Sequence, residues 1–227
     1  LYTSSISVYG DRVKDHEITV FDKLNPSSGD HYAFTKIKAE NYIKLNCTNF
    51  TIFRLSAVMD MNMKLDPLFF HMPLDTHLEI VTSSDVANAL VKATEKQHYL
   101  NERIFNLGGG KDCRITYNEF LNRNFKAFGL QRADFPKYAF AEKNFHCAYY
   151  KDSYQLNNIL NFQTETVEDY LHKVALNINP FKRFLTKIFR KTILKNLLKR
   201  SDPYKAYISG NLKLIKHFFN TKSLSWS

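Results

Sequence analysis

The distribution of apolar and polar residues along the chain predicts strands that alternate with helices. Residues 49–58, NFTIFRLSAV, form an almost continuous apolar run that is typical of a buried parallel strand. Shorter apolar runs over 78–81 and 104–107 predict two more strands. Between these two, the run VANALVKATEK has apolar residues at helical spacing: Val86, Ala89, Leu90 and Ala93. This alternation predicts the α/β class.

Capping residues predict where several helices begin. Thr116, with Glu119 three residues later, matches a capping box ahead of a helix that runs from 117 towards 128. Asp152 and Ser153 resemble a second helix start. Asp85 stands directly before the run VANALVKATEK, and we interpret it as a helix cap rather than as a catalytic group.

A tyrosine and a lysine lie one helical turn apart near the start of the chain. Tyr32 and Lys36 belong to a run without Pro or Gly, so the spacing places both side chains on one helix face. An isolated phenol is protonated at neutral pH, and a nearby positive charge such as Lys36 favours phenolate. Ser5 can bind the same substrate oxygen, because a hydroxyl both donates and accepts hydrogen bonds. Taken alone, this spacing is equally typical of a solvated helix face.

The surrounding motifs give the pair a context. The strings TSSISVYG, HYAFTKIKAE and TIFRLSAVMD occur in this order, followed later by EIVTSSDVANALVKA, IFNLGGG and YYKDSYQLNNILNF. Together they resemble the extended short-chain dehydrogenase/reductase family, of the NAD-dependent epimerase/dehydratase type. The resemblance covers roughly residues 1–175 and implies a Rossmann-like, doubly wound parallel sheet with a small α/β substrate-binding region.

The same resemblance implies an activity and its residues. Ser5, Tyr32 and Lys36 would form the catalytic trio of an NAD(P)-dependent oxidoreductase or epimerase that transfers a hydride at a carbinol or carbonyl carbon. In related enzymes, the backbone that follows the arginine matching Arg54 lies beside the nicotinamide. The implied contacts with NAD or NADP are Ser4, Tyr32, Lys36, Leu55, Ser56 and Val58. The resemblance is also compatible with a homodimer.

Two departures from the family pattern bear on the substrate, a sugar, nucleotide sugar or other alcohol or ketone. Many nucleotide-sugar enzymes of the family carry an arginine for the substrate pyrophosphate shortly before the strand over 78–81, where this chain has Thr76 and His77. Dehydratases place an Asp-Glu pair after the catalytic hydroxyl, but Ile6 and Ser7 follow Ser5 here. The first departure weakens, without excluding, a nucleotide-diphosphate sugar as the substrate. The second disfavours dehydration, whereas oxidation, reduction and epimerisation stay open.

The glycine-rich loop that holds the cofactor pyrophosphate in this family does not occur in the sequence. We therefore expect a C-terminal portion of a longer enzyme, inactive and weak in dinucleotide binding by itself. The alternative is a noncatalytic remnant that acts as a binding or membrane-associated module. The predicted organisation has three regions. Residues 1–60 form the C-terminal part of the Rossmann-like NAD(P)-binding domain, and residues 61–179 form a substrate-binding region interleaved with the last Rossmann elements. Residues 180–227 form a basic helical tail.

The number and spacing of the cysteines indicate the cellular compartment and argue against a metal site. The three cysteines are scattered, which favours free thiols in a reducing cytoplasm, and none has the spacing of a metal site. No secretory signal is visible.

Gly108, Gly109 and Gly110 do not match a phosphate-binding loop, and we interpret them as a tight turn. His146 and Cys147 are adjacent, so their side chains diverge and a buried structural pair is favoured over a nucleophilic site.

The tail carries all of the net positive charge. Residues 180–227 hold twelve lysines or arginines and one acidic residue, a formal charge of +11, whereas residues 1–179 hold 20 basic and 21 acidic residues. No nucleic-acid motif accompanies this charge, so nucleic acid is not an expected partner. An apolar stripe begins at Phe181. The favoured interpretation is that the stripe packs on the rest of the protein, and the alternative is peripheral contact with an anionic membrane.

Overall fold

The computed structural model describes residues 1–61, 67–131 and 134–220. The chain divides into two compact units. The first unit contains Leu1–Asp60, His77–Ile115 and His146–Val167. The second unit contains the described parts of Met61–Thr76, Thr116–Phe145 and Glu168–Ser227.

Short strands form three sheets. The strands are β1 (Tyr2–Ser5), β2 (Glu17–Ile18), β3 (Thr51–Leu55), β4 (Ala57–Met59), β5 (His77–Thr82), β6 (Arg103–Leu107), β7 (Arg114–Thr116) and β8 (Tyr149–Tyr150). The first sheet has the order β1-β3-β6 and is parallel throughout. The second pairs β2 with β8 in parallel, and the third has the order β4-β5-β7.

Helices connect and follow these strands. The α-helices are α1 (His31–Asn46), α2 (Ser83–Glu95), α3 (Gln97–Leu100), α4 (Tyr117–Phe128), α5 (Ser153–Leu160), α6 (Val167–Asn177), α7 (Pro180–Ile188), α8 (Arg190–Leu198), α9 (Asp202–Ile208) and α10 (Leu212–Phe218). Short 3-10 helices cover Ile6–Tyr9, Pro67–Phe70 and Lys111–Cys113. Parallel strands joined by helices confirm the predicted α/β class.

The core of the first unit lies between the parallel sheet and its helices. Phe53 on β3 and Phe105 on β6 face α2 and α5, which contribute Ala89 and Leu156. Both rings meet edge to face, with centroids 6.3 Å apart. The burial of these side chains stabilises the packing of the helices on the sheet. It therefore also holds in place the edge of the sheet where the parallel strands end.

Most predicted elements occur where the pattern places them. The strand over 49–58 is present, although the chain leaves it at Ser56, so that β3 and β4 belong to different sheets. The helix after Thr116 is confirmed as α4, with the amide of Glu119 donating to the Thr116 hydroxyl at 3.3 Å.

The predicted cap of α2 is wrong. Thr82 caps this helix, because its hydroxyl accepts a hydrogen bond from the Asp85 amide at 3.2 Å. Asp85 is buried, and its carboxylate instead accepts hydrogen bonds from the backbone and hydroxyl of Thr164 and from the Glu165 amide. It fixes a distant turn, which a local sequence pattern does not reveal.

The favoured interpretation of the tail is also wrong for its first helix. The predicted stripe is present on α7, but its side chains are exposed rather than packed against the protein: Phe181, Phe184, Leu185, Ile188 and, directly after the helix, Phe189. The chain breaks at Phe189 and continues as a separate helix, α8. No helix in the described part of the chain is long and apolar enough to cross a membrane.

Candidate active site

The carboxyl ends of the parallel strands bring the first candidate residues to one edge. Ser5 is the last residue of β1 and pairs in register with Leu55, the last residue of β3. Leu55 in turn pairs with Leu107, the last residue of β6. In open parallel sheets, ligands bind outside the carboxyl ends of the strands. The sheet therefore presents Ser5 and the residues after Leu55 where a ligand would lie.

Helix α1 carries the predicted tyrosine and lysine in its first two turns. Asp30 caps the helix, with its carboxylate accepting from the Ala33 amide at 2.9 Å. Ala33 is fully buried, and Ile37 packs on the apolar cluster formed around the 3-10 helix Ile6–Tyr9. This packing fixes the rotation of α1 and turns the face with Lys36 towards β1.

Lys36 is held against the strand that ends in Ser5. Its ammonium group donates a hydrogen bond to the Thr3 carbonyl at 2.7 Å. The same nitrogen lies 5.5 Å from the centre of the Tyr32 ring and 5.0 Å from that of Tyr2. Tyr32 itself is 55% exposed. A fixed positive charge thus lies beside a solvent-accessible phenol, as the spacing predicts.

The two serines of the first strand have different environments. Ser5 is half-buried and caps the following 3-10 helix, its hydroxyl oxygen accepting from the Ser7 amide at 3.2 Å. Ser4 points the other way, because successive strand residues face opposite sides. It is buried, and its hydroxyl donates to Glu40 at 2.5 Å. Ser5 is therefore the serine that has access to a ligand.

A buried hydrogen-bonded network lies behind this edge. Glu40, one turn after Lys36 on α1, forms a two-pronged ion pair with Arg54 of β3 at 2.7 and 3.0 Å. Arg54 also donates to the Tyr9 hydroxyl at 2.8 Å. Tyr9 donates to Asn106 at 2.8 Å, and Asn106 donates to Asp152 at 2.9 Å. We call these residues together with Ser4 the buried network.

Burial and pairing set the protonation of this network. Desolvation raises the pKa of Tyr9 to about 12, although Arg54 opposes the shift. Desolvation by itself lowers the pKa of Arg54, but its hydrogen bonds and charge interaction with Glu40 outweigh that effect and raise it. Tyr9 therefore stays a neutral donor and Arg54 stays charged. The network joins α1 to β3, β6 and the start of α5.

Sequence reasoning did not identify the buried network. Two signals point to it in retrospect. Arg54 is a charged residue in an otherwise apolar strand, which calls for a buried partner. Glu40 continues the series Tyr32, Lys36 at intervals of four, so it lies on the same helix face. Asn106 and Asp152 give no such local signal, because both are reached only through the sheet.

The predicted cofactor contacts after β3 differ in accessibility. Leu55 is partly buried against the core of the first unit. The Ser56 amide donates to the Leu107 carbonyl at 2.9 Å, and its buried hydroxyl has no hydrogen-bond partner within the described residues. Val58 is 43% exposed. An unpaired hydroxyl and an exposed apolar side chain at this edge fit the amide and ring of a nicotinamide, whereas the sequence holds no glycine-rich loop for a pyrophosphate.

The glycine turn after β6 is explained by packing alone. A Cβ atom on Gly108 would lie 2.2 Å from a carboxylate oxygen of Glu79, and one on Gly109 would lie 2.3 Å from the Ile80 carbonyl. The buried Glu79 carboxylate accepts from the Gly110 amide at 3.1 Å and from Arg114 at 3.1 Å. The close approach of the chain requires glycine here, which agrees with the predicted tight turn.

Two of the three cysteines, Cys113 and Cys147, are buried, whereas Cys47 is exposed at the C-terminal cap of α1. Burial raises the pKa of Cys147 to about 12. Desolvation, helped by the charge of Glu79, raises the pKa of Cys113 to about 12 as well. His146 lies 3.5 Å from Asp30, the cap of α1. Of the predicted buried pair, Cys147 is buried, whereas His146 is partly exposed beside Asp30.

Comparisons with known proteins identify the fold. No protein-family model and no curated protein sequence matches the chain. Solved structures do match. A short-chain dehydrogenase/reductase superfamily protein from Agrobacterium tumefaciens with bound NAD aligns with a TM-score of 0.56 at 16% identity, over 84% of this chain and 68% of that one. A dTDP-glucose 4,6-dehydratase from Bacillus anthracis in complex with NAD aligns at 0.59 and 20%, over 77% and 59%.

A third match is a UDP-glucose 4-epimerase from Thermotoga maritima with UDP-glucose, at a TM-score of 0.59 and 18% identity, over 81% of this chain and 63% of that one. The chain thus spans about three fifths to two thirds of the length of these proteins. The matches confirm the Rossmann-like α/β fold that the motifs predict.

Proposed function

We propose that this chain carries the catalytic residues of an NAD(P)-dependent oxidoreductase or epimerase that transfers a hydride at a carbinol or carbonyl carbon. The observation that carries the proposal is the position of Lys36, whose ammonium group is fixed by the Thr3 carbonyl beside the exposed Tyr32 phenol. Ser5 stands two residues after Thr3, at the end of the same strand.

Tyr32 is the proposed acid and base. In the oxidation direction its phenolate takes the proton of the substrate hydroxyl, and in the reduction direction its phenol returns a proton to the carbonyl oxygen. Lys36 holds its positive charge beside the Tyr32 ring. When bound, a nicotinamide cofactor accepts or supplies the hydride at the substrate carbon.

Ser5 is the proposed substrate-orienting residue. Its hydroxyl oxygen already accepts a hydrogen bond from the Ser7 amide, so its own proton is free to be donated to the substrate oxygen. The 3-10 helix that it caps keeps this orientation. Ser5 and Tyr32 would then hold one oxygen from two sides.

The proposed cofactor contacts are Lys36 at the nicotinamide ribose and Leu55, Ser56 and Val58 at the ring and its amide. Tyr32 would also contact this ribose. Ser4 contributes through the backbone only, because its side chain is engaged with Glu40. These proposed contacts concern the nicotinamide end of the cofactor, since the sequence holds no glycine-rich loop for the pyrophosphate.

Nucleotide sugars are the first substrates to test. Structures that share the fold include a dTDP-glucose dehydratase and a UDP-glucose 4-epimerase. Ile6 and Ser7 follow Ser5, so this chain offers no acid pair there for the elimination of water. We therefore expect epimerisation or redox chemistry at a secondary alcohol rather than dehydration.

The test uses the protein expressed from its complete gene. It is incubated with NAD or NADP and a panel of nucleotide sugars and simple secondary alcohols, and products are separated by chromatography. We expect conversion that requires the cofactor and that falls in Ser5→Ala by about 10²-fold, the order typical of one positioned polar group.

Ser28→Ala is the matched control, since Ser28 is an exposed loop residue of the same unit. Its turnover should equal that of the wild type. Calorimetry that detects neither NAD nor NADP binding, together with no conversion of any substrate in the panel, would contradict the proposal. That result would favour a noncatalytic binding module instead.

A further inference from the structure

The tail contains an amphipathic helix that leaves its apolar face in solvent. Helix α7 is well formed, because Asn179 caps it by accepting from the amides of Phe181 and Lys182 at 2.8 and 3.3 Å, and Pro180 occupies its first turn. Yet none of its residues is buried. The exposed fractions of its apolar side chains are 68% for Phe181, 57% for Phe184, 36% for Leu185 and 58% for Ile188.

The helix contacts its own unit through the opposite side. Gly129, which ends α4, lies so close to α7 that a Cβ atom there would be 2.7 Å from the Arg183 carbonyl and 3.3 Å from a side-chain carbon of Lys187. Directly after α7, the Arg190 guanidinium donates to the Leu130 carbonyl at 2.6 Å and lies 3.3 Å from Asp134. The polar side is thus anchored, and the apolar side is directed outwards.

The rest of the tail behaves differently. Helices α9 and α10 bury Ala206, Ile215, Phe218 and Phe219 in a cluster with Ala141. The Ser201 hydroxyl, which caps α9, also donates to the Ala139 carbonyl at 2.6 Å. The described part of the tail therefore folds against its unit. Single apolar residues are exposed on α9 and α10 as well, at Ile208, Leu212 and Leu214. Among the described helices of the tail, only α7 buries none of its residues.

Positive charge borders this face. At about 100° per residue, Lys182 follows one edge of the apolar stripe and Lys187 borders the other. Both are exposed. No acidic residue occurs between Asp169 and Asp202, a stretch that contains all of α7 and α8. An apolar stripe between cationic edges matches the boundary between lipid tails and anionic headgroups.

We propose that α7 and Phe189 form a membrane-contact surface that lies in the plane of an anionic lipid bilayer. Phe181, Phe184 and Ile188 enter the boundary between headgroups and acyl chains, while Lys182 and Lys187 contact lipid phosphates. Nucleic acid suits this face less well, since a helical stripe of aliphatic and aromatic side chains does not form a stacking groove for bases.

Vesicle co-sedimentation tests this surface with the full chain. Vesicles of pure phosphatidylcholine are compared with vesicles of equal parts phosphatidylcholine and phosphatidylglycerol. We expect binding to the anionic vesicles that weakens as salt is raised, and little binding to the neutral ones. The double substitution Phe181→Ser and Phe184→Ser should weaken binding by about tenfold or more, since two buried phenyl rings are lost.

Ile208→Ser is the matched control, because Ile208 is a 64% exposed apolar residue of the same tail on α9. It should bind as the wild type does. Both sets of substitutions change exposed residues, so all proteins should have the same thermal unfolding midpoint, which circular dichroism checks. Lys182→Gln with Lys187→Gln should reduce binding to anionic vesicles only.

A second readout places a probe in the surface. Phe184→Trp in a Trp226→Phe background leaves one tryptophan in the chain, which holds a single natural one. Its emission should shift to the blue when anionic vesicles are added. No sedimentation at low salt, or equal binding by the Phe181/Phe184 variant, would overturn the proposal. Dimerisation that depends on Phe181 and Phe184, without vesicle binding, would assign the face to a second copy of this chain.

Discussion

The buried network of the first unit and helix α7 of the second use charged residues in opposite ways. Arg54 and Glu40 are almost fully buried, and each satisfies the other with short hydrogen bonds. On α7 the lysines are exposed and the phenylalanines are exposed with them. Charges taken out of water must be paired, which fixes the elements that carry them. Exposed apolar side chains that lie together form a surface that a partner can cover.

The two regions differ in how precisely their side chains have to be positioned. The network ties α1 to β3 and β6, so that Tyr32 and Lys36 are held at the edge where Ser5 ends β1. Catalysis by positioned groups demands such a frame. A membrane-contact helix needs only a stable backbone and the right distribution of side chains. The following predictions test this contrast, beginning with the largest expected effect.

A pair of aromatic substitutions should separate the two regions most strongly. Phe53 is fully buried in the core of the first unit, so Phe53→Ala should lower the free energy of unfolding by about 3–5 kcal/mol. Phe184→Ala should change it by no more than about 0.5 kcal/mol, because the ring is exposed. Urea denaturation measures both. Similar losses for the two variants would mean that α7 is packed in solution.

A pair of charge substitutions probes the buried network. Arg54→Met leaves the Glu40 carboxylate buried without its cation, and we expect a loss of about 3 kcal/mol. Lys187→Met removes an exposed charge and should have little effect. Adding Glu40→Gln to Arg54→Met should recover part of the loss, since the uncompensated charge disappears. If Arg54→Met unfolds at the same urea concentration as the wild type, the network does not fix α1.

The cap of α1 gives a smaller, pH-dependent effect. Hydrogen bonding to His146 holds the pKa of Asp30 below its usual value, and the Ala33 amide contributes to the shift. Stability from an acid with a lowered pKa is complete above the unfolded value of 3.8 and is lost as the pH falls through the lower folded value. Asp30→Ala should therefore lose about 1 kcal/mol at neutral pH.

The difference between Asp30→Ala and the wild type should shrink below pH 3.8. Asp15→Ala is the control, because the Asp15 side chain is exposed and forms a surface ion pair with Arg12. Thermal unfolding over a pH series measures the three proteins. A loss for Asp30→Ala that is independent of pH would show that the carboxylate charge has no part in capping.

Local patterns predicted much of this structure from the sequence. The strand with Arg54, the capping box at Thr116 and the face shared by Tyr32 and Lys36 depend on residues close in sequence, and all three are present. The role of Asp85 could not be predicted, because its partners Thr164 and Glu165 lie about 80 residues away. The links from Tyr9 to Asn106 and Asp152 depend on sheet register in the same way.

The orientation of α7 escaped prediction for a different reason. Amphipathic periodicity reports that a helix has an apolar face, but it does not report what covers that face. Packing on the protein is the usual outcome, and the sequence of α7 is compatible with it. The contact of Gly129 with the polar side of the helix, at Arg183 and Lys187, and the exposure of Phe181 and Phe184 together reveal that the apolar side is turned outwards.

The most direct test of the central claim compares two identical chemical changes on one helix. Tyr32→Phe and Tyr42→Phe each remove one hydroxyl from an exposed tyrosine of α1, in the protein expressed from its complete gene. We predict that Tyr32→Phe lowers kcat by about 10²–10⁴-fold without weakening cofactor binding, and that Tyr42→Phe keeps the wild-type kcat. Equal kcat values for the two variants would contradict the assignment of Tyr32 as the acid and base.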